Sequence, residues 1–136
     1  MFVLNLVTPE KRLATELEVD EVIVPGERGQ LTLLPGHTPL ITTLGVGTVK
    51  YRAKGQSQYH SAIVSWGYCE VNPRGVNVLA ETAESIEEVD RERATEALKK
   101  AQKMLTEPNL EANQIQKYQR KLKRALARLE ANKTAH

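Results

Sequence analysis

Residues 21–47 read EVIVPGERGQLTLLPGHTPLITTLGVG, and no other part of the chain has its backbone specified so tightly. Gly26, Gly29 and Gly36 can reach φ > 0, while Pro25, Pro35 and Pro39 fix φ and push the residues before them toward extended conformations. Between these breaks lie β-branched and Leu-rich runs too short for helices. The stretch therefore reads as strand, turn, strand, wide loop and strand, with Leu34-Pro35-Gly36-His37-Thr38-Pro39 as the loop.

The same alternation extends to both sides. Residues 2–7 and 12–19 are β-favouring runs separated by the turn Thr8-Pro9-Glu10-Lys11; residues 20–24 and 30–34 follow. Further runs cover 40–44, 46–52, 59–64, 68–71 and 76–80, with turns at Lys54-Gly55-Gln56 and at Asn72-Pro73-Arg74-Gly75. Nine or ten short strands with close turns predict a β-sandwich or flattened barrel.

Past residue 84 the composition changes. All eight glycines precede residue 76, and from Ser85 onward there is only one proline, Pro108. This change divides the chain into an expected β domain over 1–84 and an appendage over 85–136. Ser85-Ile86-Glu87-Glu88 has the form of a capping box at a helix start. Ala94, Leu98, Ala101 and Leu105 then recur at 4, 3, 4, and after the break Thr106-Glu107-Pro108-Asn109 the residues Ile115, Tyr118, Leu122, Ala125 and Leu129 resume the stripe. Two such stripes predict an antiparallel two-helix hairpin, weakly held because the small alanines in its seam (Ala94, Ala101 and Ala125) supply little burial.

Charge is divided the same way. Residues 1–84 carry seven Lys/Arg and nine Asp/Glu, whereas 85–136 carry twelve and eight, so the tail is the basic part of a chain with formal charge +2. Lys117, Lys121, Arg124 and Arg128 stand one position before the apolar seam residues of the second helix and form a basic stripe. Such a stripe can serve as a solvated helix face, pair with the acids near the start of the first helix, or meet an acidic partner. A nucleic-acid-binding module is the rival reading of the basic hairpin, but Tyr118 is the helix's only aromatic and it lies on the apolar seam.

Catalytic signals are missing from the sequence. It holds no GxxxxGK, CxxC or HExxH motif, and His37, His60 and His136 are far apart, so a β-sandwich hydrolase has no acid/base pair to offer. No catalytic residue and no metal site is expected. Cys69 is the only cysteine, which rules out an intrachain disulfide and points to a buried thiol in a reducing compartment. No apolar run approaches the ~20 residues of a membrane span, and the N-terminal residues lack the pattern of a signal peptide, so membrane association is expected only through a partner.

The stretch VPGERGQLTLLPGHTPLITTLGVGTVKY, with Trp66-Gly67-Tyr68-Cys69-Glu70-Val71 and Val76-Asn77-Val78-Leu79-Ala80-Glu81-Thr82-Ala83-Glu84, closely resembles the epsilon subunit of bacterial F-type ATP synthases, and the similarity runs end to end. The resemblance implies a ten-stranded β-sandwich with a C-terminal helical hairpin. It also implies a non-catalytic place in the central rotor stalk, where ion-driven rotation of the c-ring is coupled to ATP synthesis. Implied partners are the gamma subunit, the c-ring and, for an inhibitory extended hairpin, the beta subunit. Nucleic acid is not among them, and obligate homo-oligomerisation is not expected.

Residue by residue, His37 matches a loop histidine near gamma, and Gln30 stands where some relatives place a Glu facing the c-ring. Trp66 replaces a glycine common before Gly67. Val89-Asp90-Arg91-Glu92-Arg93-Ala94 is similar to a motif with which some epsilon subunits bind regulatory ATP; Glu84, Asp90, Arg93, Arg124 and Arg128 fall on matching positions, and Lys100 stands where an Arg can occur. No cofactor is required, regulatory ATP is the one ligand implied, and Asp90 and Arg93 can equally cap and pair within the hairpin. The implied location is peripheral, on the cytoplasmic side of a bacterial plasma membrane, with a thylakoid membrane as the other setting.

Overall fold

A computed structural model describes the backbone of residues 1–134 and the side chains through Ala131. The chain divides into two compact units, Met1–Ser85 and Ile86–His136.

The first unit holds seven strands: β1 (Val3–Val7), β2 (Arg12–Gly26), β3 (Gly29–Leu33), β4 (Leu40–Leu44), β5 (Gly47–Ala53), β6 (Tyr59–Asn72) and β7 (Gly75–Ser85). They form one sheet in the order β1-β7-β6-β4-β2-β3, in which β5 bridges β2 to β6 and β1 also pairs with β2. The parallel pair β1–β7 is the exception in an otherwise antiparallel sheet. The sheet wraps a core in which Leu4, Leu6, Val22, Val24, Leu33 and Val64 are wholly buried.

Seven strands stand in place of the ten that the resemblance implies, and the nine runs read from the sequence reduce to seven because two pairs of them are continuous. Residues 12–19 and 20–24 make one strand, β2, which bends where its register with β5 shifts between Val19 and Glu21. The Asp20 carboxylate holds that bend, accepting the Gly55 N–H at 2.9 Å and facing the Arg52 guanidinium at 3.5 Å. Residues 59–64 and 68–71 likewise make one strand, β6, which pairs with β5 up to Val64 and with β4 from Gly67. Trp66 sits at the hand-over with φ 43°, and its N–H reaches Gly45 C=O at 3.2 Å. Gly67 follows at φ 138°, where a Cβ would lie 2.0 Å from Leu79 C=O, so only glycine allows β6 and β7 to approach this closely.

In the second unit a 3-10 turn (Ile86–Glu88) leads into α1 (Arg91–Leu105), and α2 (Ala112–Thr134) packs back along α1 as an antiparallel hairpin. The expected cap at Ser85 is displaced, because the sheet claims Ser85 as a partner of Ala62. Asp90 caps α1 instead: its backbone is extended at φ −93°, ψ 109°, and its Oδ1 accepts the Arg93 N–H at 3.2 Å. Ala94, Ala101, Ala125 and Ala131 are the buried seam residues, whereas Ile115, expected in the seam, is 38% exposed.

Candidate functional site

Cross-strand pairing on β4, β6, β7 and β1 builds a two-row surface on the outer face of the first unit. Thr43, Tyr68, Leu79 and Val7 stand side by side in one row, and Ile41, Glu70, Asn77 and Asn5 in the next. The intervening residues Cys69, Val78 and Leu6 point the other way and are wholly buried. Burial pushes the Cys69 thiol up to about 12, with the Glu70 carboxylate adding to the rise, so it stays a neutral core group.

The outward side chains are unusual for a solvated face. Ile41 is 73% exposed, Tyr68 54% and Leu79 46%, and they line a groove of about 260 Å³ that runs to Val7. One side of the groove is a fixed polar chain. Asn5 Nδ2 donates to Glu16 Oε1 (3.2 Å) and Asn77 Oδ1 (3.0 Å), Asn77 Nδ2 donates to Glu70 Oε1 (3.3 Å), and Asn72 Nδ2 donates to the same oxygen (3.2 Å). An apolar strip edged by carboxylates already held in place is suited to contact with another macromolecule.

Sequence reasoning missed this surface, although a signal was present. In Val76-Asn77-Val78-Leu79-Ala80-Glu81 the period of two buries Val76, Val78 and Ala80, so Leu79 is an apolar residue in the outward set between Asn77 and Glu81.

A second groove, of about 570 Å³, lies between the β2–β3 turn and β4, where Glu27, Arg28 and Ile41 contribute to its wall. It includes Gln30 of β3, which pairs with Pro25 of β2 and is exposed. His37 closes a tight turn, its N–H donating to Leu34 C=O at 3.0 Å across Gly36 at φ 86°, and its Nδ1 lies 2.8 Å from Thr38 C=O. The wide loop thus begins with an ordered turn; of the two residues read as rotor contacts, Gln30 stands at the start of β3 beside the β2–β3 turn and His37 in the loop past the end of that strand. His136 lies outside the described residues.

The residues matched to an ATP motif are divided between the units. Glu84 is half-buried on β7 opposite Ile63, and Asp90, Arg93, Arg124 and Arg128 belong to the hairpin. Asp90 Oδ1 is already committed to the helix cap. The basic stripe also splits into two. Lys117 and Lys121 are exposed, with their ammonium groups 5.5 and 5.6 Å from the Tyr118 ring centroid, while Arg124 and Arg128 are half-buried and held by contacts of their own. Among the described residues no cluster of His, Cys, Asp and Glu has the grouping of a metal site, and no helix is long and apolar enough to cross a membrane.

A sandwich presenting an apolar row, joined to a helical hairpin, has the architecture of a subunit that works by contact within an assembly. Residues 1–86 match the family described as ATP synthase, Delta/Epsilon chain, beta-sandwich domain, and residues 87–133 match the companion long alpha-helix domain. The chain belongs to the delta/epsilon chain family of ATP synthases. Relatives named ATP synthase epsilon chain include one from Bdellovibrio bacteriovorus, 44% identical over 128 residues, which span 94% of this chain and 91% of the relative. One from Geotalea daltonii is 43% identical over 126 residues, spanning 93% and 89%. Among solved structures, a chain of the Euglena gracilis mitochondrial ATP synthase superposes with a TM-score of 0.84 at 24% identity, covering 99% of this chain and 81% of that one. A chain from the central stalk and c-ring of the Tetrahymena thermophila mitochondrial ATP synthase gives 0.62 at 16%, covering 98% and 95%. At these identities the structures attest the fold.

Proposed function

We propose that the chain is a rotor-stalk subunit in which the sandwich transmits rotation and the hairpin regulates ATP hydrolysis. The observation that carries the first half is the apolar row Tyr68, Leu79 and Ile41, a surface that costs free energy in water and gains it when covered. The gamma subunit is its proposed cover, with His37 as a further gamma contact, and Gln30 faces the c-ring. Membrane association runs through that ring, on the cytoplasmic side of the membrane. Leu79→Glu puts a charge at the centre of the row without touching the core. It is expected to weaken rebinding to ATP synthase stripped of its own epsilon chain by about tenfold or more, the effect of leaving one charge desolvated at an interface. Rebinding at unchanged affinity would remove the row from the interface.

The hairpin is proposed to have two states, one packed as seen here and one extended along gamma with its basic stripe beside an acidic segment of the beta subunit. Its alanine seam supports a small energy gap between them, since buried Ala side chains contribute little apolar area. Regulatory ATP would favour the packed state only by binding it better than the extended one. Arg93, Arg124 and Arg128 would supply guanidinium groups to its phosphates. Calorimetry on the full chain is expected to show ATP binding that Arg93→Ala weakens by about 1–3 kcal/mol, the value of a charge-assisted hydrogen bond. No heat of binding with the intact chain would end the ATP part of this reading and leave the inhibitory part standing.

A further inference from the structure

β4 is the strand whose pairing stops short. On one side it is matched to β6 along its full length, from Leu40↔Val71 to Leu44↔Gly67. On the other it meets β2 only at Gly26↔Leu44, because β2 turns away into β3 one residue later. The last backbone bond on that side is Glu27 N–H to Thr43 C=O at 3.2 Å. In an antiparallel ladder both backbone groups of a residue point the same way, and alternate residues point oppositely. Thr43 N–H and the N–H and C=O of Ile41 therefore face the groove bounded by Glu27 and Arg28, while Thr42 turns its groups to β6.

Two further features distinguish this edge. Residues 40–44 read LITTL, with β-branched residues and no charge, so the strand lacks the lysines and inward charges that usually blunt an open edge. Pro39 closes it at one end only. Ile41, the most exposed large apolar side chain after Met1, lines both this groove and the one running to Val7, so the free edge continues directly into the apolar row.

We propose that this edge receives an extended segment of the same partner that covers the apolar row, adding a short strand to β4 with an apolar side chain on Ile41. The inference rests on the assembly role proposed above. A helix laid on the row would satisfy the side chains and leave the Ile41 and Thr43 amides unpaired; a strand satisfies both. The slot accommodates about three to four residues, since β4 is free only from Pro39 to Thr43 and a strand rises about 3.3 Å per residue.

Amide hydrogen exchange on the full-length chain, alone and reassembled into the epsilon-depleted ATP synthase, tests this directly. Ile41 and Thr43 amides are expected to exchange freely in the isolated chain and at least about tenfold more slowly in the complex, with Thr42 slow in both. Assembly with Ile41 and Thr43 still exchanging freely would overturn strand addition while leaving the assembly role intact. Failure to assemble would instead count against the role itself, and the inference would fall with it. Protection that appears in the isolated chain as its concentration rises, together with dimer formation, would assign the edge to a second copy and also overturn the proposal. Ile41→Thr keeps the β-branch and the backbone while trimming the apolar contact. It is expected to bind the complex more weakly yet still to show slowed Thr43 exchange once bound, which side-chain docking alone would not produce.

Discussion

Asn5 shows how one side chain sets the geometry of a surface several residues wide. The β1–β2 register shifts between Leu4 and Leu6, leaving Glu16 with a left-handed backbone at φ 47°. Asn5 Oδ1 accepts the Glu16 N–H at 2.8 Å while its Nδ2 reaches Glu16 and Asn77, so the bulge and the polar side of the apolar row are held by the same amide. Asn5→Ala is expected to cost about 1–2 kcal/mol, seen as a fall in melting temperature of the first transition. Glu16→Gly, which relieves the backbone while keeping the N–H, is expected to change stability by less than about 1 kcal/mol. Equal losses from both would show that Asn5 does not hold the bulge. Trp66 is the other non-glycine residue of the first unit in a left-handed conformation, at the position where the resemblance places a glycine; the backbone geometry of that position is retained without the residue that adopts it most easily.

Among the elements, those defined by local chemistry were the legible ones. Glycine and proline at 25–39 located the β2–β3 turn and the loop before β4, and the apolar period located α1 and α2. Two kinds of information were not local. The expected breaks at 19/20 and between 64 and 68 are bends in continuous strands, where β2 and β6 exchange one pairing partner for another; Gly67, which marks the second of them in the sequence, serves the close approach of β6 to β7 and not a turn. Ser85 and Asp90 are both acceptable caps, and the choice falls to Asp90 because β7 pairs through Ser85. The candidate surface was hidden for the same reason: Ile41, Tyr68 and Leu79 lie on three strands, and only the register brings them together. Asp90→Ala is expected to cost the hairpin about 1 kcal/mol and to speed amide exchange at Arg93 and Ala94, with no effect on the first unit. Unchanged exchange there would mean that the cap contributes nothing to α1.

At the scale of the whole molecule, the two units have different kinds of stability and are proposed to do different work. The first is closed around branched aliphatic side chains and presents fixed surfaces; the second is joined along alanine and carries the cations. A platform that must transmit torque benefits from the former, and a switch with a small energy gap from the latter. The most direct measurement adds the full-length chain and residues 1–85 separately to ATP synthase stripped of its epsilon chain, and follows ion pumping and ATP hydrolysis together. Both proteins are expected to restore pumping per ATP hydrolysed, and only the full-length chain to lower the hydrolysis rate. Contradiction would come from a truncated chain that binds but leaves hydrolysis uncoupled, or that inhibits as strongly as the intact one.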